Sequence, residues 1–363
     1  MTGVRQGGPV SADATAVREQ RLRAQGLALP TDRTPTEAVR RLAAVQSQEP
    51  GHAFWSLALR SRATTEAEVR AAYDAGEFLR THVLRPTWHF VAAEDVRWML
   101  ATTAARVHQT NGSMLRKRGL GTAELDRGAR VLADALAAGV VLARPEVVTV
   151  LADAGLPHAQ LDVVLLVMHA ELEQVVVSGP MRGATHTYAL LDDRVPHGPA
   201  DGADPTRLLR RYLAGHGPAS AHDFARWSSL TLTATRTALD ELHDELASVE
   251  VAGETYHSLP PGPDAGDLPP VLLLPLFDEL PLGYRDLAHP PAPGHPHPPH
   301  VDLRSGSVVA GDANVGTWRR EVKGRTVEVA LDLAPGVPDD LRARTHAEAA
   351  RLARFLGRDL GLR

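Results

Sequence analysis

The 363-residue chain contains no cysteine. Disulfides, thiolate zinc sites, iron–sulfur clusters and cysteine nucleophiles are excluded together. Lysine is almost absent too, with Lys117 and Lys323 the two in the chain and arginine carrying the remaining positive charge. Aromatic residues are only 4%, so burial must come mainly from Leu, Val and Ala. No run approaches eighteen apolar residues, which argues against a transmembrane helix. The segment from Met1 to Arg5 lacks the apolar core of a secretory signal, and a cytoplasmic protein is the expectation. The sequence shows no Gly-rich phosphate loop opening a helix, no Gly-x-Ser-x-Gly and no His-Glu-x-x-His. A formal net charge of -5 means that nucleic acid would have to be met by a locally basic face.

The length implies two to four packed units. Residues 1–14 are Gly-rich and expected to be disordered. A helix over 15–25 follows. Thr34-Pro35-Thr36-Glu37 then forms a capping box with proline in the first turn, starting a helix that should run to about Val45. Helices over 52–62 and 66–75 precede two short β runs, 81–84 and 87–91. The outline recurs: three helices over 122–172, then strands at 175–178 and 185–191. It recurs again, with helices over 205–242 and strands at 247–251 and 255–259. Three helix–helix–hairpin units make an internal repeat of topology, and that outline is the one a winged helix has. Helix–hairpin patterns also occur in generic α+β proteins. Past a Pro/Gly-rich linker, strands at 271–275, 307–310, 315–319 and 326–331 and a helix over 339–356 define a mostly β C-terminal unit.

The run His289, His295, His297 and His300 is interleaved with prolines. That spacing prevents a regular element from aligning ligands, so a mobile surface loop is expected and no metal site. A different polar feature stands out. Val39, Leu42 and Ala43 lie on the inward face of the second helix, and Gln46 is next in that series. A glutamine there needs partners for its carbonyl and both N–H groups. Gln48, two residues on, would point about 200° away on a regular helix. The two converge only if the helix unwinds at Ser47. Pattern alone leaves them as polar helix-end residues, which are ordinary.

Three N-terminal segments carry a resemblance: Leu42 to Pro50, Ala58 to Arg62, and Arg85-Pro86-Thr87-Trp88-His89-Phe90-Val91. Two C-terminal ones join them, Leu274 to Asp286 and Gly316-Thr317-Trp318-Arg319-Arg320. In this order, spanning roughly residues 15–360, the chain resembles the AlkZ/YcaQ-like family of DNA glycosylases. The resemblance implies an α+β, C-shaped fold of three tandem winged-helix (helix-turn-helix) units with a C-terminal β-rich unit. The expected divisions are 15–118, 119–200, 201–262 and 263–363. It also implies a Gln-x-Gln catalytic motif at Gln46 and Gln48, with Ser47 departing from the usual hydrophobic middle residue. The implied reaction is monofunctional hydrolysis of the N-glycosidic bond of cationic N7-alkylguanines, with bulky or crosslinked natural-product adducts as the expected lesions in self-resistance. Neither lysine lies near the glutamines in sequence, which disfavours a lyase. Arg85, Thr87 and His89 are expected to meet DNA or the lesion, and Trp318, Arg319 and Arg320 the groove or phosphates. The expected partner is double-stranded DNA carrying alkylated purines. A monomer without cofactor, acting at the nucleoid, is expected, and assistance by Glu49 is left open. The rival is a winged-helix DNA-binding protein without catalysis. Asp278 and Arg285 are candidates for a structural ion pair.

Overall fold

A computed structural model describes residues 10–11, 13–29, 31–198, 201–260, 266–292 and 304–362. Strand β1 (Val10–Ser11) precedes helix α1 (Ala14–Ala24), so part of the stretch expected to be disordered carries regular structure. The first repeat follows as α2 (Pro35–Leu42), β2 (Val45–Gln46), α3 (Pro50–Ala58), α4 (Glu66–Asp74), β3 (Phe78–His82) and β4 (Trp88–Ala92). Its capping box forms as the spacing predicts. Thr34 Oγ1 accepts from Glu37 N–H at 3.2 Å, and the Glu37 carboxylate accepts from Thr34 N–H at 2.7 Å. The strands pair antiparallel in the order β2-β4-β3.

Helix α5 (Val96–Arg118) connects to the second repeat and is not among the expected elements. Its buried residues stop at Val107, so the second half carries little apolar periodicity. The second repeat comprises α6 (Thr122–Leu136), β5 (Leu142–Ala143), α7 (Arg144–Asp153), α8 (Gln160–Leu172), β6 (Val176–Ser178) and β7 (Thr187–Leu190). Its sheet order, β5-β7-β6, reproduces the first. After a single turn, α9 (Leu191–Arg194), the third repeat has α10 (Pro205–His216), α11 (Ala221–Ser228), α12 (Leu232–Leu242), β8 (Ala247–Val251) and β9 (Glu254–Ser258). Here one bridge between Ala219 and His257 stands in for the first strand, and β1 adds in parallel to the edge of β8. One plan therefore occurs three times: helix, strand, two helices and a hairpin whose second strand pairs with the first.

The C-terminal unit is a five-stranded sheet in sequence order. It contains β10 (Leu272–Leu274), the turn α13 (Glu279–Leu282), β11 (Gly306–Ala310), β12 (Ala313–Lys323), β13 (Thr326–Leu333), helix α14 (Asp339–Phe355) and β14 (Asp359–Leu362). The mixture of helices and strands makes the chain α+β. One apolar core runs through the first repeat, the third repeat and this sheet, while α6, α7 and α8 enclose most of a second. The first repeat is therefore seated against the third and the C-terminal unit. Among the described residues no helix is long and apolar enough to cross a membrane.

Helix α10 crosses the end of α2 at Gly215, where a methyl group would collide with the Arg41 carbonyl oxygen. Backbone contact at this point places the chain just ahead of Gln46. Gly215→Ala should cost about 1–3 kcal/mol through overpacking, read as a lower urea midpoint. An unchanged midpoint would mean that the two helices reseat freely.

Candidate active site

Helix α2 ends at Leu42, three residues earlier than the periodicity predicts. Ala43 adopts φ 62°, and Ala44 N–H donates to the Leu42 carbonyl at 2.7 Å, closing a γ-turn of the strained type. The chain then extends into β2, where Gln46 pairs opposite His89 and Ser47 N–H donates to the Trp88 carbonyl at 2.7 Å. Gln46 therefore sits on a strand and not on the inward face of a helix. Gln48 lies two residues past the end of Gln46's strand, in the bend before α3, so the helical geometry that would set the two about 200° apart does not apply.

Gln46 is held at two points. Its backbone N–H donates to Glu279 Oε1 at 2.8 Å, and its side-chain Oε1 accepts from Arg85 Nη2 at 3.0 Å. Arginine can only donate, so the carboxamide orientation is set, with its N–H₂ group turned away from Arg85. Ser47 is fully buried, and its carbonyl accepts from Arg80 Nε at 3.0 Å. Gln48 is half-buried, and its Oε1 is buried with no hydrogen-bond partner among the described residues. A carbonyl oxygen in that state lacks a donor. Glu49 is exposed and makes no side-chain cap to α3.

Arg85 and His89, expected to face DNA, are instead part of the support beneath Gln46. Arg85 donates to the Trp227 carbonyl at 2.7 Å and lies 3.2 Å from His89 Nε2. His89 is completely buried, and its Nδ1 lies 2.9 Å from the Thr87 carbonyl. Nδ1 therefore carries the proton, and Nε2 accepts from Arg85. Burial, then the charge of Arg85, pushes the imidazole down to about 3. Thr87 is half-buried, and its Oγ1 has no hydrogen-bond partner among the described residues.

Trp318, expected to meet the groove, lies in the core instead. It is 1% exposed and donates its indole N–H to the Leu274 carbonyl at 2.7 Å, so it is a core residue of the C-terminal sheet. Strand alternation leaves Arg319 exposed, while Arg320 is half-buried and its Nη1 has no hydrogen-bond partner among the described residues. Asp278 pairs with Arg60, not with Arg285, whose carboxylate partner is Asp286. His289 is buried rather than on a surface loop, and His295, His297 and His300 lie outside the described residues.

Two residues not singled out by the sequence reading belong to the site. Glu279 is fully buried at the start of α13, accepting from Gln46 N–H and, at 3.1 Å, from Trp227 Nε1. Burial raises its affinity for a proton, but the neighbouring His216, Arg85 and His89 outweigh that and hold the carboxyl down to about 2. Its signal was its position directly after Asp278 in the resembling segment. Arg80 is the other. Its guanidinium lies 4.2 Å over the Trp88 ring, and its backbone N–H donates to Ser178 Oγ in the second repeat at 2.8 Å. A cleft of about 810 Å³ opens beside the motif, lined by Pro50, Gly51, Thr65, Glu66, Arg70 and His186. Neither glutamine lines it, but Pro50 follows Gln48 by two residues. Positive φ angles at Ala43, Leu84 and Phe277 each precede one of Gln46, Arg85 and Glu279 within three residues.

Burial is the main force pushing His52 and His89 down to about 3 and His186 and His289 to about 4. In the unfolded chain they titrate near about 6.5. Between these values the unfolded state binds more protons, so stability falls as pH drops below 6.5. The depressed carboxyl of Glu279 adds a loss only at lower pH, between its ordinary range and about 2. The urea midpoint should fall from pH 7 to pH 5, and His89→Gln should flatten that fall. A level wild-type profile would contradict the assignment of neutral, buried imidazoles.

Comparison with known proteins places the chain among the DNA glycosylases, enzymes that act on DNA. A profile of AlkZ-like DNA glycosylases matches residues 39–355, and the chain belongs to that family. It also shares its fold with Streptomyces sahachiroi DNA glycosylase AlkZ, at a TM-score of 0.76 and 24% identity, over 98% of this chain and 100% of that one. No curated protein matches the sequence.

Proposed function

We propose that this glycosylase hydrolyses the N-glycosidic bond of cationic N7-alkylguanine in double-stranded DNA, with Gln46 and Gln48 placing the attacking water. The observation that carries the reading is the buried Oε1 of Gln48, without a hydrogen-bond partner among the described residues, two positions after a Gln46 amide that Arg85 holds. Gln48 Oε1 accepts a hydrogen bond from the water, and the Gln46 N–H₂ donates to it. Amides are feeble bases, so this suffices only where the leaving group is already activated. An N7-alkylated guanine carries positive charge and departs neutral, which removes much of the barrier.

In this reading the three repeats are winged helices, divided as 15–118, 119–200 and 201–262 ahead of the C-terminal unit, and their concave side takes the duplex. The β12–β13 hairpin brings Arg319 to phosphate, and Thr87 faces the lesion. The roomy cleft beside Pro50 favours bulky or crosslinked adducts of the kind met in toxin self-resistance. The enzyme acts as a monomer, and without a lyase step, because neither lysine lies near the glutamines in sequence. The test is to incubate the protein with duplexes carrying N7-methylguanine, a bulky N7 adduct or uracil, then cleave abasic sites with alkali. Strand breaks at both cationic lesions, none at uracil, and loss of breaks in the Gln46→Ala/Gln48→Ala double variant are expected. Undiminished excision by the double variant would end the proposal.

A further inference from the structure

Away from the glutamines, three ligand-type side chains converge where α5 meets α8. His108 lies on α5, and His169 and Glu173 lie one helical turn apart at the end of α8. One ligand atom from each lies within 4.8 Å of the other two. His108 Nε2 is 2.9 Å from Glu173 Oε1, and the two imidazole rings are 5.3 Å apart. The His169 side chain is only 10% exposed. Its Nε2 lies 3.2 Å from Asp126 Oδ1 on α6, whereas its Nδ1 is buried with no hydrogen-bond partner among the described residues.

Ion pairing accounts for only part of this arrangement. It satisfies His108 Nε2 and His169 Nε2, but leaves the buried Nδ1 without a partner and sets two imidazoles side by side. We propose that His108, His169 and Glu173 form a binding site for a divalent transition-metal ion, with zinc as its occupant. Two imidazoles and a carboxylate are a donor set suited to zinc, and solvent can supply the fourth position. Asp126 fits the same scheme. With Nδ1 on the metal, the Nε2–H of His169 donates to the Asp126 carboxylate, the outer-shell bond that commonly fixes a ligating histidine. Half-exposed His108 and exposed Glu173 can adjust their rotamers to close on the ion. The ion would fasten α5, the connector between the first two repeats, to α8 and, through Asp126, to α6. Its role is structural and separate from the glutamines.

Untagged, chelator-treated full-length protein is titrated with zinc chloride by calorimetry, and with cobalt(II) while visible absorption is followed. One zinc per chain is expected, with the melting midpoint raised by roughly 4 °C at a hundredfold excess over Kd. Glu173→Gln and His169→Ala should abolish that shift, and Asp126→Asn should weaken binding about 10–100-fold. Excision activity and circular dichroism should be unchanged. Because Glu173 is exposed, Glu173→Gln gives a folded readout even if His169→Ala does not fold. The triple change of His295, His297 and His300 to alanine should leave binding intact. Absence of stoichiometric zinc binding, its persistence in Glu173→Gln, or its loss in the triple variant would each overturn the assignment.

Discussion

Gln48→Ala should lower kcat for release of N7-methylguanine by about 10²–10³ while leaving KM nearly unchanged. The two carboxamides differ in what each has left to offer. The Gln46 carbonyl is engaged by Arg85 at 3.0 Å, so its free capacity is as a donor. The Gln48 carbonyl is buried without a donor, so it gains a partner only when water or substrate enters. A bond from the attacking water strengthens as its oxygen bonds to C1′ and gains positive charge, which makes its O–H a better donor to the Gln48 carbonyl, and a contact made mainly in the transition state appears in kcat. Arg85→Lys should share part of the loss, since an ammonium cannot reproduce the fork that spans Gln46 and the Trp227 carbonyl. Single-turnover excision with Gln48→Ala decides the matter. A rate within fivefold of wild type would remove Gln48 from the chemistry and shift attention to exposed Glu49.

The main helices and the hairpins of the three repeats were legible because each helix carries an apolar face and each hairpin follows the last helix of its triplet, but the two-residue strands β2 and β5 were too short to show a period. The capping box at Thr34 and Glu37 formed as written. What failed was local or non-local in identifiable ways. The end of α2 depends on a γ-turn at Ala43, and alanine carries no turn signal, so the apolar series ran on through Gln46. Helix α5 buries little beyond Val107 and was missed, and with it the neighbourhood of His108, His169 and Glu173. Within the site, the motif glutamines were visible as misplaced polar residues, but their supports were not. Arg85 and His89 read as surface groups because a hairpin in sequence looks exposed, whereas the third repeat and Glu279 cover this one. Contacts across more than two hundred residues leave no trace in spacing.

The largest effect on stability should come from Asp278→Ala. Asp278 and Arg60 are 0% and 1% exposed along their side chains and meet through two bonds, Oδ1–Nη2 at 2.7 Å and Oδ2–Nη1 at 2.8 Å. The carboxylate also accepts from Ser56 Oγ at 2.7 Å and from Leu280 N–H at 2.9 Å, where it caps the turn that carries Glu279. Removing it strands a buried guanidinium, and the expected cost is about 3–5 kcal/mol. Because the pair itself was assembled at a desolvation cost, adding Arg60→Met to Asp278→Ala should recover part of that loss instead of deepening it. The same change loosens α13 and therefore the carboxylate under the Gln46 backbone. Excision by the surviving folded fraction should fall with it, while the double variant regains stability without regaining full activity. Urea unfolding of the two single variants and the double variant completes the cycle. If Asp278→Ala costs under 1 kcal/mol, or if the double variant is less stable than either single one, the pair is not the buried link between α3 and the turn that holds Gln46.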